Sequence, residues 1–296
     1  MIAAIFAFAE SSVQAGRLAD ELGLPNRAVT VHRFPDRESL VRVERSPPTA
    51  LLYRSLDDPN AKLVELLLAV SALRANGAAR VILIAPYLGY MRQDRAFQPG
   101  QAVSQQVVGR LLAERIDALL TVDPHLHRTH SLSQVVPGIP AVALSAAPVL
   151  AAALGLADDP LIAGPDDESA AWLEAVAAPL GLETLLGAKQ RRGDRQVEIS
   201  FANIERCKDR HVVLIDDLIS SCETMREAAL QLRKAGAARV EVLATHCLSS
   251  EADLVRLTGA GVLRVRATDT VLGPAASLPI AGLLASAIRH QRWAGE

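Results

Sequence analysis

Apolar residues along this chain gather into short, nearly continuous runs, and each run gives way within a few residues to a stretch with helical spacing. Strands are predicted over residues 2–9, 50–54, 118–122, 161–163 and 212–215, each followed by a helix. Continuous runs mark strands buried on both faces, and their alternation with helices builds parallel sheets covered by helices on either side. Two stretches repeat. Residues 73–85 (LRANGAARVILIA) and 232–244 (LRKAGAARVEVLA) agree at eight of thirteen positions, at an offset of 159 residues (232 − 73). In both, Gly77 or Gly236 stands where a helix C-terminus calls for positive φ, and a second apolar run follows. The same offset carries Asp216 and Asp217 back onto Asp57 and Asp58. Each half is therefore expected to hold an apolar run, an Asp-Asp pair, a helix, a glycine stop and another apolar run. The predicted fold is α/β: two duplicated, mostly parallel sheets flanked by helices, with a boundary near Ser145.

A length of 296 residues suits two domains of common size. Half the residues are hydrophobic but only 3% are aromatic, so the cores are expected to pack from Ala, Val, Leu and Ile. A net charge of -2 leaves no basic excess for neutralising phosphates along a nucleic acid, and no such partner is expected. Cys207, Cys222 and Cys247 are odd in number and lack CxxC spacing, which argues against a disulfide framework or a zinc site and for a reducing, cytoplasmic setting. The apolar start MIAAIFAFAESS lacks a basic leading segment and reads as a buried strand, not a signal peptide. Residues 132–157 carry no charge, but Pro137, Pro140 and Pro148 interrupt them, so no membrane span is predicted.

The segment HVVLIDDLISSCETM (residues 211–225) runs from a buried strand into two carboxylates, a hydroxyl-rich turn and a helix. Open α/β sheets bind ligands beyond the carboxyl ends of their strands, and a helix N-terminus there offers N–H groups to a phosphate. Two readings stay open on the residues alone. Asp216 and Asp217 hold ribose hydroxyls or reach a Mg²⁺ ion, with Ser220, Ser221 and Thr224 on a phosphate; or the acids complement the helix dipole and Ser220 merely caps it. Cys222 is either a first-turn thiol made reactive by a depressed pKa or a small buried filler.

That segment resembles the phosphoribosyl diphosphate loop of type I phosphoribosyltransferases and diphosphokinases: two acids, Asp or Ser, Thr, two small residues and Thr. Four further segments are similar to diphosphokinase motifs and occur in the same order. VHRFPDRES (31–39) is like R-F-x-D-G-E, PYLGYMRQDRAFQPGQ (86–101) like P-Y-x-G-Y-x-R-Q-D-R, VDPH (122–125) like D-L-H, and AKQRR (188–192) like D-K-R-R. The closing LPIAGLLASAIRH is similar to the last helix of that family. Over nearly its whole length the chain resembles the ribose-phosphate diphosphokinase (phosphoribosyl diphosphate synthase) family.

The resemblance implies two type I phosphoribosyltransferase-like domains: 1–145 on the ATP side, with a C-terminal helix 281–296 packing on it, and 146–280 carrying the sugar-phosphate loop. It implies transfer of pyrophosphate from ATP to the C1 hydroxyl of ribose 5-phosphate, which gives 5-phosphoribosyl diphosphate and AMP. Arg92, Gln93 and Asp94 would read adenine, a guanidinium being able both to stack and to hydrogen-bond in its plane. Phe34, Asp36 and Glu38 would complete the nucleotide pocket of a neighbouring subunit, hence a homo-oligomer. His125 and Asp166 would hold Mg²⁺ with ATP. Asp216, Asp217, Ser220, Ser221, Cys222 and Thr224 would bind the sugar phosphate. Lys189, one of four lysines against 27 arginines, and Arg191 would stabilise the transition state from a basic mobile loop.

Several positions depart from the family pattern. Glu223 stands where the sugar-phosphate loop normally has Gly, and a second unit charge 4 Å from a phosphate costs about 4 kcal/mol at an effective dielectric of 20. Ser220-x-x-Glu223 also spells a capping box, which would fold Glu223 back onto the Ser220 N–H. Arg37 replaces a Gly, Glu168 and Ser169 replace a Gly pair, Trp172 replaces an Arg, and HRTHSLSQ after His125 diverges. The expectation is retained nucleotide binding with altered or weakened sugar-phosphate binding. The alternatives are a non-catalytic homologue that regulates a true synthase by co-assembly, and a diphosphokinase with a different sugar acceptor. A phosphoribosyltransferase would need no ATP loop.

Overall fold

The computed structural model describes residues 2–126, 128–129, 131–155, 159–192 and 196–295, and the side chains of 190–192 and 196–197 lie outside that description. The chain divides into two compact units, Met1–Leu144 with Ile280–Glu296, and Ser145–Pro279.

In the first unit, β1 (Ala3–Phe8), α1 (Ser12–Leu22), β2 (Asn26–Arg33), β3 (Ser39–Arg42), β4 (Thr49–Tyr53), α2 (Pro59–Ala75), β5 (Arg80–Ile84), α3 (Ser104–Ala113), β6 (Ala118–Val122), α4 (Leu132–Val135) and β7 (Ala141–Leu144) follow in sequence. The second unit contains α5 (Ala147–Ala152), β8 (Leu161–Gly164), α6 (Ala170–Ala177), β9 (Thr184–Arg192), β10 (Gln196–Phe201), β11 (His211–Ile219), α7 (Glu223–Lys234), β12 (Arg239–Cys247), α8 (Glu251–Gly259), β13 (Val262–Thr268) and β14 (Ala276–Leu278). Helix α9 (Ala281–His290) returns to the first unit and packs on α1.

Both sheets have seven strands in corresponding order, β3-β2-β1-β4-β5-β6-β7 and β10-β9-β8-β11-β12-β13-β14. All pairings are parallel except the edge hairpins β2–β3 and β9–β10. The buried runs of β1, β6 and, beyond Thr49, β4 explain why they read as strands. In the second unit the strand period of two sends Val212, Leu214, Val240 and Val242 towards α7 and α8, and Val213, Ile215 and Leu243 towards α5 and α6. Helix α2 stops at Gly77 (φ 112°) and α7 at Gly236 (φ 96°), the left-handed residues that let the chain turn into β5 and β12. Within residues 132–157 the chain makes α4, β7 and α5 in succession, and no described helix is long and apolar enough to cross a membrane.

Strand register corrects one expectation drawn from the repeat. Tyr53 lies opposite Ile84 on β5, and Ile215 lies opposite Leu243 on β12. Ile84 and Leu243 are 159 residues apart (243 − 84), so the partner strands keep the repeat offset while Tyr53 aligns with Ile215. The residues that follow them therefore correspond: Arg54 and Ser55 occupy the strand end that Asp216 and Asp217 occupy in the second unit. Asp57 and Asp58 lie beyond that end, in the connection to α2, whose N-cap is Asp58. The two Asp-Asp pairs match in sequence and not in place.

Candidate active site

At the carboxyl ends of β8, β9 and β11 the second unit gathers three carboxylates and a lysine. The Lys189 Nζ lies 3.2 Å from Asp166 Oδ2. Asp166 caps the helical turn that follows β8: its Oδ1 accepts the Glu168 N–H at 3.1 Å, and its carbonyl accepts the Ser169 hydroxyl at 2.6 Å. The serine that replaces a family glycine thus fixes the turn carrying Asp166. On the neighbouring strand end, Asp216 Oδ1 accepts the Asp217 N–H at 3.0 Å. Burial, then the negative charges of Asp217 and Asp166, raise the Asp216 carboxyl well above its ordinary range. Such crowding of negative charge is of the kind a cation would ease.

Lys189 does not sit on a mobile loop. It lies on β9, opposite Ile199 of β10 and next in the sheet to β8. Close packing puts it there: a Cβ at Gly187 would stand 2.7 Å from the Pro165 carbonyl oxygen. Arg191 belongs to the same strand, and its side chain lies outside the described residues.

Beyond Asp217 the loop enters α7, whose N-cap is Cys222, not Ser220. Cys222 takes φ 64°, a left-handed conformation that normally favours glycine, and makes no side-chain cap bond. The capping box is therefore not formed, because the helix starts two residues later than Ser220 would require. Glu223 instead turns along the helix to Arg226, Nε to Oε2 3.1 Å, and stays half-exposed. The Cys222 thiol is buried and donates to Ser249 Oγ at 3.1 Å. Burial pushes its pKa up despite that bond, so it is not an activated nucleophile. Ser249 also donates to the Ser220 carbonyl at 2.8 Å, which ties the loop to the end of β12. Ser220 and Thr224 are partly exposed and Ser221 is exposed.

In the first unit the motif PYLGYMRQDR follows β5. Asp94, its side chain 1% exposed, receives the backbone N–H of Arg128 at 3.2 Å and the Arg128 Nη1 at 3.0 Å. Burial raises the Asp94 carboxyl, but the bonds from Arg128 outweigh it and the net shift is downward. Gln93 Oε1 accepts the Ser104 hydroxyl at 2.5 Å, and Arg92 is exposed. His125 is partly buried beyond β6. Phe34, Asp36 and Glu38 share the exposed turn between β2 and β3, where Asp36 Oδ1 accepts the Glu38 N–H at 3.0 Å. Arg37 there takes φ 73°, the left-handed backbone for which the family's glycine is suited.

The structure thus joins Lys189 to Asp166 and sets both beside Asp216 and Asp217, while His125 belongs to the other unit. Arg128, Ser249 and Arg226 were not anticipated. Only Arg226 left a local signal, its i,i+3 spacing from Glu223; the others meet their partners across 34 and 27 residues of chain.

Two duplicated α/β units, one with an acid pair leading into a hydroxyl-rich loop and a helix N-terminus, define a protein of the phosphoribosyltransferase-like class. Residues 3–115 match the family model for the N-terminal domain of ribose phosphate pyrophosphokinase, and residues 145–257 match that for the phosphoribosyl transferase domain. The chain is 36% identical over 282 residues to the ribose-phosphate pyrophosphokinase of Methanopyrus kandleri, covering 93% of this chain and 94% of that protein. It is 33% identical over 278 residues to the one from Methanothermobacter thermautotrophicus, covering 93% and 96%. The crystal structure of phosphoribosylpyrophosphate synthetase from Mycobacterium smegmatis superposes with a TM-score of 0.83 at 26% identity, covering 98% of this chain and 99% of that one. The chain belongs to the ribose-phosphate pyrophosphokinase family.

Proposed function

We propose that the protein transfers the pyrophosphate of ATP to the C1 hydroxyl of ribose 5-phosphate, forming 5-phosphoribosyl diphosphate and AMP. The observation that carries this reading is the Asp166–Lys189 pair beside Asp216 and Asp217, ahead of an uncapped helix N-terminus. Asp216 and Asp217 hold the ribose hydroxyls, and the first turn of α7 with Ser220, Ser221 and Thr224 receives the 5-phosphate. The C1 hydroxyl loses its proton to solvent as its oxygen attacks the β-phosphorus, the bond from that phosphorus to the α,β-bridging oxygen breaks, and AMP leaves with that oxygen. Lys189 and Arg191 neutralise charge on the equatorial oxygens, where positioning and electrostatics carry most of such a catalysis. Arg92 and Gln93 contact adenine, Asp94 holds their loop through Arg128, and Phe34, Asp36 and Glu38 complete the nucleotide pocket from a neighbouring copy of a homo-oligomer.

Mg²⁺ is the cation this donor chemistry suits, Asp166 offering hard oxygen ligands. Among the described residues no group of three or more His, Cys, Asp or Glu forms a metal cage. That is in keeping with an ion held by one or two carboxylates plus substrate phosphates. Bound there, it would offset the negative charge of the transferred phosphates. Asp166 would supply a hard oxygen ligand, whereas His125, an imidazole in the other unit, suits Mg²⁺ less well. The test is AMP formation from ATP and Mg²⁺ with ribose 5-phosphate, beside unphosphorylated ribose and a no-sugar control. Turnover with ribose 5-phosphate alone is expected; no AMP above background from protein that binds ATP would refute the reading.

A further inference from the structure

The strand end that bears Asp216 in the second unit bears Arg54 in the first, and Arg54 is buried there at 2% exposure. Its guanidinium lies 3.7 Å from the centre of the Phe8 ring. Its Nε donates to Glu10 Oε1 at 2.8 Å, its Nη1 to the Lys62 carbonyl at 3.0 Å and its Nη2 to Glu65 Oε2 at 2.6 Å. Glu65, on α2, is 1% exposed, so its rotamer is fixed by what surrounds it. Its other oxygen, Oε1, accepts from Arg33 Nε at 2.9 Å and from Ser39 Oγ at 3.1 Å. Arg33 and Ser39 face each other across β2 and β3 and flank the turn that holds Phe34, Asp36 and Glu38.

We infer that Glu65 is a positioning residue for nucleotide binding: anchored by Arg54, it clamps both ends of the Phe34–Glu38 turn and sets that turn's orientation. This rests on the reading of Phe34, Asp36 and Glu38 as nucleotide contacts. The turn's own backbone bonds, Phe34 N–H to the Glu38 carbonyl at 2.8 Å and Arg37 N–H to the Phe34 carbonyl at 2.9 Å, close the loop without orienting it against the rest of the unit. A two-stranded edge hairpin is marginal by itself in water, and β3 is only four residues long. β1 pairs with β2 only as far as Val29, and beyond it the tie to α2 adds a polar constraint at the turn to the packing of Val31 and Val41 on the core. A turn held in its binding geometry loses less entropy when it meets a ligand, so the clamp acts on nucleotide affinity and leaves the transferring groups untouched.

Removing Glu65 would strand buried Arg54 and endanger the fold, so the donors are the residues to change. In R33M/S39A the KM for ATP should rise about tenfold, a change of 1.4 kcal/mol. The kcat and the KM for ribose 5-phosphate should stay near wild type, with Tm lowered by a few degrees because buried Glu65 Oε1 loses both donors. Amide hydrogen exchange at Phe34 and Arg37 should quicken in the same variant, and R33K/S39T, which keeps both donors, should restore both readings. Unchanged KM for ATP and unchanged exchange would overturn the proposal, as would a parallel loss in both substrates, which marks a merely structural role. Should wild type form no AMP, the functional reading fails instead, and exchange with ATP titration decides the clamp.

Discussion

Glu223 is the residue most at odds with a sugar-phosphate loop, and its geometry gives a sized expectation. A carboxylate 4 Å from a phosphate repels it by about 1 kcal/mol in bulk water and about 4 kcal/mol at an effective dielectric of 20. With its side chain 46% exposed and Arg226 Nε 3.1 Å from Oε2, Glu223 belongs near the lower limit. A penalty of about 1.4 kcal/mol corresponds to a tenfold change in affinity. E223Q should therefore lower the KM for ribose 5-phosphate about tenfold at low salt, with the KM for ATP unchanged, in an AMP-release assay at saturating ATP. The gain should shrink at high salt, where exposed charges are screened. R226M should raise the KM for ribose 5-phosphate by freeing the carboxylate to turn towards the phosphate, and should do so far less in the E223Q background. A KM that stays within twofold of wild type in E223Q, or an equal effect of R226M in both backgrounds, would refute the reasoning.

Three more outcomes are expected. The Asp216 carboxyl is held above its ordinary value of 3.8, so the folded state binds its proton more tightly than the unfolded chain does. The metal-free protein should lose stability as pH rises from that value through the raised one, and D216N should raise its Tm by a few degrees in calorimetry while abolishing AMP formation; a Tm unchanged or lowered would contradict this. Cys222, buried with its pKa raised, should react with iodoacetamide in the native protein more slowly than free cysteine at pH 8, as mass spectrometry would report. A Cβ at Gly109 would collide with the Val135 carbonyl oxygen, whereas one at Gly187 would press on Pro165 beside the Lys189–Asp166 pair. Overpacking costs about 1–3 kcal/mol, so G109A should lower Tm with kcat spared, and G187A should lower kcat more than Tm.

What could be read from the chain depended on how each strand is solvated. β1, β4, β6, β8 and β11 are buried in the middle of their sheets and announce themselves as apolar runs. The antiparallel hairpins β2–β3 and β9–β10 lie at sheet edges, where strands carry charge, so AKQRR reads as a loop although it belongs to β9. Site residues that a family motif names were legible, but their partners were not. Arg128 lies in the segment that diverges most after His125, and nothing local ties it to Asp94. The capping box failed for a physical reason as well: Ser-x-x-Glu fixes a helix start only if the serine is the N-cap, and here left-handed Cys222 moved that start on.

The misplaced Asp-Asp pair has the widest consequence. Duplication produced two strand ends in corresponding register, and they hold opposite charges. At β11 three carboxylates crowd together and Asp216 is pushed towards its neutral form, a state that gains from a cation and an anionic substrate arriving together. At β4 the corresponding position holds Arg54, and the carboxyl it meets, Glu65, responds the other way: burial raises it, but bonds from Arg54, Arg33 and Ser39 outweigh that and hold it below its usual range. That ion cluster is satisfied from within, so it has no call on a ligand and adds rigidity above the unfolded pKa of its carboxylate, a contribution lost only as pH falls through the folded one. One strand end is left frustrated, and the substrate proposed to bind there would relieve it; the other is relieved internally and steadies the hairpin on which nucleotide binding is proposed to depend.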